Sequence, residues 1–354
     1  MEAEKKDIRK IKPRELEAFL DDLGVKAFRK KQIEEWIWQK SVRSFDEMTN
    51  LSKALRASLK ERFEFPALTT DLVQRSSDGT VKTRFRLKDG AMIESVLIPV
   101  VRDQRFTVCV SSQVGCSLDC AFCATGKMKR MRNLDAAEIY DQVVGVNAQA
   151  QAFFDHPLTN IVFMGMGEPL LAYSSVKEAI RRITEPRAGL GMSPRRITVS
   201  TAGIAKMIHK LADEEVRFNL ALSLHAANEE KRSQIMSINE TNNLSALMEA
   251  LRAFNDKAKG KISYEYIALK DFNTSIEDAK ELEQLCRDFP VKVNIIEYND
   301  VDGVPFQKED ERKTDAFADY LNSRGVTATI RRSRGKDIDA ACGQLANQEG
   351  DGHN

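Results

Sequence analysis

Hydrophobic and polar positions alternate in two distinct periods along this 354-residue chain, and each predicts a different kind of element. Up to about residue 65 the apolar residues recur at helical spacing, first Leu16, Phe19 and Leu20, then Ile33, Trp36 and Ile37, then Leu51, Leu55 and Leu59, with charges on the opposite faces. That pattern predicts a helical accessory unit over 1–65, which holds both tryptophans. From about 66 to 112 the period drops to two. Val81, Thr83, Phe85 and Leu87 point one way and Lys82, Arg84 and Arg86 the other; Asp89-Gly90 supplies a turn, and Met92–Val100 runs back. The result is a β-hairpin extension over 66–107 feeding a strand around Val108–Ser112.

Beyond the hairpin, short apolar runs alternate with helical ones. Strands are predicted at Asn160–Met164, Arg196–Ser200, Phe218–Leu224, Ile262–Leu269 and Val291–Tyr298. Helices are predicted at Ala136–Ala150, Ser174–Thr184, Ile204–Ala212, Leu244–Ala258, Ile276–Asp288 and Arg312–Arg324. Six βα units in series over 108–345 predict a parallel α/β fold, and the count fits a partial (β/α)6 barrel as well as an open sheet. The tail over 346–354, rich in Asn, Gln, Gly and Asp, is expected to fray.

Composition narrows the class. With 42% hydrophobic and 30% charged residues and only 9 Pro and 18 Gly, the chain is globular, and collagen-like, low-complexity and disordered readings drop out. The N-terminus MEAEKKDIRKIKPRE lacks an apolar signal core, and no apolar run approaches the ~20 residues of a membrane span. A cytoplasmic protein is therefore expected, with no membrane partner and monomer as the default state. In that compartment thiols stay reduced, so six cysteines point to metal binding or catalysis rather than a disulfide framework. The net charge of +1 argues against a polyanion-binding coat over the whole surface and leaves room for a local basic patch. The 1–65 segment carries a modest excess, 16 Lys+Arg against 13 Asp+Glu, which suits RNA contact and a plain solvated helical face equally.

The strongest chemical signal is Cys116-Ser-Leu-Asp-Cys120-Ala-Phe-Cys123, a C-x3-C-x2-C spacing on a loop between a strand and a helix. Structural zinc would want a fourth ligand, and neither the other cysteines (109, 286, 342) nor the histidines (156, 209, 225, 353) complete a zinc finger. An iron–sulfur cluster with three protein ligands leaves one iron open to a substrate or cofactor. These residues resemble the radical S-adenosylmethionine (SAM) superfamily, whose C-x3-C-x2-C loop holds one [4Fe–4S] cluster with SAM on the open iron. The strand Asn160–Met164 ends in Gly165-Met-Gly167-Glu168-Pro169, similar to the superfamily's glycine–glutamate–proline segment. Glycines there let the backbone approach the cofactor, and the carboxylate accepts from the SAM ammonium.

The wider chain resembles the ribosomal and transfer RNA adenine-C2 methyltransferases, through CVSSQVGC at 109–116, FCATGK at 122–127, MGMGEPLL at 164–171, SLHA at 223–226 and DIDAACGQLA at 337–346. The resemblance implies SAM contacts at Gly167, Glu168, Ser200, Ser223, Leu224, His225 and Asn299, mostly near the C-terminal ends of the predicted strands. It also implies 23S rRNA and tRNA as substrates and a low-potential donor such as flavodoxin or ferredoxin. Carbon 2 of adenine is an electron-poor carbon with no lone pair to attack a methyl cation, so the family takes a radical route. By resemblance, one SAM methylates Cys342, a second is reductively cleaved to abstract a hydrogen from that methyl group, and the carbon radical adds to the base. The covalent adduct is then resolved by Cys109, which attacks the Cys342 sulfur and leaves a disulfide, with Glu94 as proton acceptor.

Cys286 lies on the apolar face of Ala279, Leu282 and Leu285 and is expected to pack as a small hydrophobe. Two basic clusters, Lys127/Lys129/Arg130/Arg132 and Arg331/Arg332/Arg334/Lys336, flank the cluster loop and Cys342, and are expected to carry RNA phosphates toward a flipped-out adenine. Two other readings stay open at this level: a C8-methylating relative with the same cysteines, and, from a different class, a non-catalytic RNA-binding zinc protein.

Overall fold

The computed structural model describes residues 5–66 and 68–347. A short strand β1 (Lys6–Asp7) leads into α1 (Pro13–Asp22), α2 (Phe28–Trp38) and α3 (Lys53–Arg62), and β2 (Phe63–Glu64) returns beside β1. The expected helices are present because Leu16, Leu20, Ile33, Ile37, Leu55 and Leu59 each turn inward. The strands β3 (Thr69–Arg75), β4 (Val81–Arg86) and β5 (Met92–Val100) form an antiparallel sheet, and β6 (Arg105–Cys109) pairs with β5. The first of these, β3, was not anticipated. Its residues are mostly half-exposed, so the chain gives it little hydrophobic signal.

A small ribbon, β7 (Gln113–Val114) with β8 (Arg132–Asn133), brackets the cysteine loop. There follow α4 (Ala136–Phe154), β9 (Asn160–Phe163), α5 (Tyr173–Thr184), β10 (Ile197–Thr201), α6 (Ala205–Asp213), β11 (Asn219–Ser223), α7 (Glu229–Ile235), α8 (Leu244–Lys257), β12 (Ile262–Ala268), α9 (Ile276–Leu285), β13 (Val291–Glu297), α10 (Glu311–Ser323) and β14 (Thr327–Arg331). One ten-stranded sheet runs β14-β13-β12-β11-β10-β9-β6-β5-β4-β3, parallel from β6 to β14 and antiparallel from β6 to β3. The partial barrel therefore has the expected parallel strands plus a further one, β14, at its edge. β14 escaped notice because it has no buried residue.

The accessory helices share one continuous core with the barrel. A polar clamp fixes them to α4: both Arg9 and Asp141 are almost fully buried, the Arg9 guanidinium reaches the two Asp141 oxygens at 2.7 and 2.6 Å, and Arg43 adds a contact at 2.9 Å. The Tyr140 hydroxyl donates to the Trp38 carbonyl and the two rings meet edge to face at 5.1 Å.

Candidate active site

The C-terminal ends of β9 to β12, the cysteine loop and the C-terminal segment surround one cavity of about 160 Å³. Cys116, Cys120 and Cys123 line it together with Cys342. The loop is shaped by its backbone: Cys123 N–H donates to the Cys120 carbonyl at 3.1 Å, and Ala121 N–H donates to Ile235 of α7 at 3.0 Å. Burial raises all three thiols, and for Cys120 the neighbouring Cys123 and Cys116 add to it. Three crowded thiols that repel one another as anions are the donor set of a cationic centre. Among the described residues no three His, Cys, Asp or Glu side chains converge as ligands of one metal ion. A cluster asks instead for one thiolate per iron.

The wall opposite the loop comes from the ends of β9, β10 and β11. Gly167 has φ +94, and a Cβ there would stand 2.4 Å from the Gln113 Cβ, so this position admits only glycine. The turn aims Glu168 inward, where its carboxylate accepts from Leu170 N–H at 2.9 Å and Ala202 N–H at 2.8 Å. Burial outweighs these bonds and pushes Glu168 up to about 7, the environment of a carboxylate awaiting a cation. Ser200 and Ser223 meet at 3.3 Å through their hydroxyls. His225 holds a left-handed backbone, φ +59, and its Nδ1 accepts from Ile267 N–H at 3.1 Å. Burial, helped by Arg232, brings its pKa down to about 3, so the ring is neutral. Gly167, Glu168, Ser200, Ser223 and His225 thus line the cavity, whereas Leu224 and Asn299 are buried and do not line it.

Cys342 lines the same cavity, and Cys109, which does not line it, lies within electrostatic reach of Cys342. Cys109 ends β6 and is buried; burial, with Cys342 as a second cause, pushes its thiol up to about 12. Cys342 has an exposed side chain yet stands inside the mouth of the cavity, where surrounding protein, then Glu265 and Cys123, raise it to about 11. Glu94 is elsewhere than expected of an open base. It does not line the cavity; its Oε2 accepts from Ala346 N–H at 3.0 Å and Asn347 N–H at 3.2 Å, and Lys82 faces Oε1 at 3.7 Å.

Three residues were missed. Glu265, in mid-strand β12, presents a buried carboxyl to the cavity, held by Asn294 at 2.7 Å and Ser263 at 2.9 Å. Arg232, on the unpredicted α7, has no exposed surface and donates to the carbonyls of Ala202 (2.6 Å) and Leu224 (3.2 Å), tying the ends of β10 and β11 together. Gln113 accepts from Glu168 N–H at 2.8 Å. Gln113 lies within the CVSSQVGC block at 109–116, whereas Glu265 and Arg232 lie in no motif; for Arg232 the signal was a charged residue shortly after the SLHA block.

Residues 6–65 match the ribosomal RNA large subunit methyltransferase N-terminal domain, and residues 110–283 the radical SAM superfamily. A probable dual-specificity RNA methyltransferase RlmN of Christiangramia forsetii is 54% identical, covering 97% of both chains. Another, of Flavobacterium psychrophilum, is 52% identical over 99% of this chain and 100% of its own. The chain belongs to the RlmN family of radical SAM methyltransferases. The crystal structure of a radical SAM methyltransferase from Sphaerobacter thermophilus superposes with a TM-score of 0.89 at 39% identity, covering 96% of this chain and 99% of that one. As a radical SAM enzyme the RlmN-family chain uses a [4Fe–4S] cluster and SAM to methylate RNA, which sets aside the structural-zinc reading. No helix among the described residues is long and apolar enough to cross a membrane.

The basic clusters are less free than the sequence suggested. Arg132 is bound to Asp89 at 2.7 Å and Glu138 at 2.8 Å, and Arg332 and Lys336 both bind Glu297, at 2.7 and 3.1 Å. Burial would raise Glu297, but Arg332, Ser333 N–H, Lys336 and Lys308 together bring it down to about 2. Lys129 and Arg130 remain exposed beside the cysteine loop, just before Met131, which is 70% exposed.

Proposed function

We propose that this enzyme methylates carbon 2 of adenosine in 23S rRNA and in tRNA, as a cytoplasmic monomer reduced by flavodoxin or ferredoxin. The observation that carries the reading is that Cys342 lines the cavity which the cysteine loop lines while Cys109, buried at the end of β6, lies within its electrostatic reach; the third thiol outside the loop, Cys286, is at the end of α9. Cys116, Cys120 and Cys123 would hold the cluster, and Gly167, Glu168, Ser200, Ser223 and His225 would hold SAM, with Leu224 and Asn299 supporting them from behind. When bound, these groups supply the methyl carbon and the one-electron chemistry that an unreactive ring carbon requires.

The chain's own residues do the rest. Cys342 Sγ carries the methyl-derived carbon and, through it, becomes joined to C2 of the flipped base. For release, the adduct would give up its odd electron to the one-electron centre and its C2 proton to a base, and the Cys109 thiolate would then attack the Cys342 sulfur. The S–S bond forms as the S–C bond breaks, and the freed carbon takes a proton to become the methyl group. Two external electrons then reduce the disulfide. The resemblance puts the base at Glu94, while Glu265, like Glu168, lines the cavity and is the second candidate. Glu94→Gln and Glu265→Gln, assayed separately, identify it: the variant lacking the base accumulates the covalent enzyme–RNA adduct.

The test of the overall reading is mass spectrometry of 23S rRNA fragments and tRNA after anaerobic incubation with SAM and reductant. 2-Methyladenosine in both is the expected product. 8-Methyladenosine would assign the chain to the C8 reaction, and an unmodified RNA would overturn the proposal.

A further inference from the structure

The C-terminal segment that bears Cys342 lies across the face of β4 and β5 and is tied down on both sides of the cysteine. Upstream, Asp337 accepts from the Ser76 hydroxyl at 2.6 Å and Ser77 N–H at 3.1 Å, and Asp78 accepts from Gly335 N–H at 3.0 Å. Downstream, the Thr125 hydroxyl donates to the Leu345 carbonyl and the Asn347 amide donates to the Met92 carbonyl at 2.8 Å. Between these ties the chain turns sharply twice, at Asp339 (φ +50) and Gly343 (φ +86), and Cys342 is exposed at the apex.

One buried ion pair reaches both flanks. Lys82 Nζ donates to the Asp339 carbonyl at 3.3 Å, three residues before Cys342, and faces Glu94 Oε1 at 3.7 Å. Glu94 Oε2 takes the N–H groups of Ala346 and Asn347, four and five residues after it. Both side chains are almost fully buried, in a place where an ion pair costs free energy unless further hydrogen bonds complete it. Here the Cys342 loop supplies those bonds. Remove the loop and the pair is stranded; remove the pair and the loop loses a tie on each side.

We propose that the Lys82–Glu94 pair is a latch that holds the Cys342 loop at both ends and so presents its thiol to Cys109. Lys82 is then a positioning residue for the methyl carrier, and the β3–β5 sheet is the platform that carries it. The inference rests on Cys109 and Cys342 being the reactive pair.

The test uses the full-length, cluster-loaded enzyme, in which the three loop cysteines are capped, equilibrated anaerobically with mixtures of oxidised and reduced glutathione. Two thiols of the protein are oxidised to the 109–342 disulfide as one glutathione disulfide is reduced to two thiols, and the equilibrium constant measures how well the loop presents Cys342 to Cys109. Lys82→Met is expected to lower that constant by about tenfold and to speed amide exchange at both flanks, 339–341 and 345–347, with Lys82→Arg restoring both. Asp337→Ala, on the exposed surface, should speed exchange upstream only, which separates the latch from general loosening. An unchanged constant with unchanged exchange in Lys82→Met would overturn the latch. A wild-type enzyme that forms no 109–342 disulfide would overturn the pairing beneath it, and the exchange pattern would still decide the latch on its own.

Discussion

Cys109 and Cys342 rest as protonated thiols, pushed up to about 12 and about 11: burial and then Cys342 raise Cys109, while the protein around the cavity mouth, then Glu265 and Cys123, raise Cys342. A raised thiol value means the reactive anion is scarce at neutral pH and grows with pH. In the cluster-loaded enzyme, oxidation of the two to a disulfide by oxidised glutathione, which is reduced to two thiols, should therefore quicken by about tenfold per pH unit from 7 to 9, followed by mass spectrometry of the oxidised peptide pair. A flat profile would mean that a nearby base already holds one of them ionised. Arg232→Met leaves the Ala202 and Leu224 carbonyls without their donor, at about 1–3 kcal/mol each, so a marked drop in Tm is expected by calorimetry. Cys286, by contrast, is half-buried at the end of α9 with its thiol pushed up to about 12 by burial and then by Glu283, an unreactive state, and Cys286→Ala should leave turnover at the wild-type level. The cysteines were legible because thiol spacing is a local property. Lys82 was not: alternation puts it on the polar face of its strand, and it is buried because a segment more than 250 residues away covers that face.

At the scale of elements, the helices and inner strands could be read in advance because their apolar period reports a face that is buried along its whole length. The elements that went unseen lack that report. α7 spans only seven residues and its fully buried side chain of note is an arginine, while β3 and β14 sit at the two edges of the sheet with one side open. The docking of the accessory helices was likewise silent, since it depends on Arg9 finding Asp141 across 132 residues. Asp141→Ala removes one of the two buried carboxylates that hold Arg9, leaving Asp7 at 3.0 Å, and should cost about 1–3 kcal/mol of stability, measured by urea unfolding. Loss of the whole transition at lower urea, rather than of a separate early step, is expected because both units share one core.

The whole molecule is nearly neutral, and the structure spends several of the cations that the sequence seemed to offer to RNA on internal carboxylates. The salt dependence of RNA binding should reflect the exposed ones. Lys129→Ala and Arg130→Ala should each lower the slope of log K against log salt by about 1, whereas Arg332→Ala should leave it unchanged; equal effects from all three would restore the broader phosphate track. The sheet brings the cysteine loop, the strand ends and Cys342 of the C-terminal segment around one cavity, with Cys109 at the end of β6 within electrostatic reach of Cys342. That arrangement makes one measurement decisive: anaerobic incubation of cluster-loaded Cys109→Ala with SAM, reductant and RNA, resolved by denaturing electrophoresis and peptide mass spectrometry. The expected result is an RNA–protein adduct joined through a one-carbon bridge at Cys342, with no release of methylated RNA. Release of methylated adenosine at the wild-type rate, without an adduct, would contradict the two-thiol account.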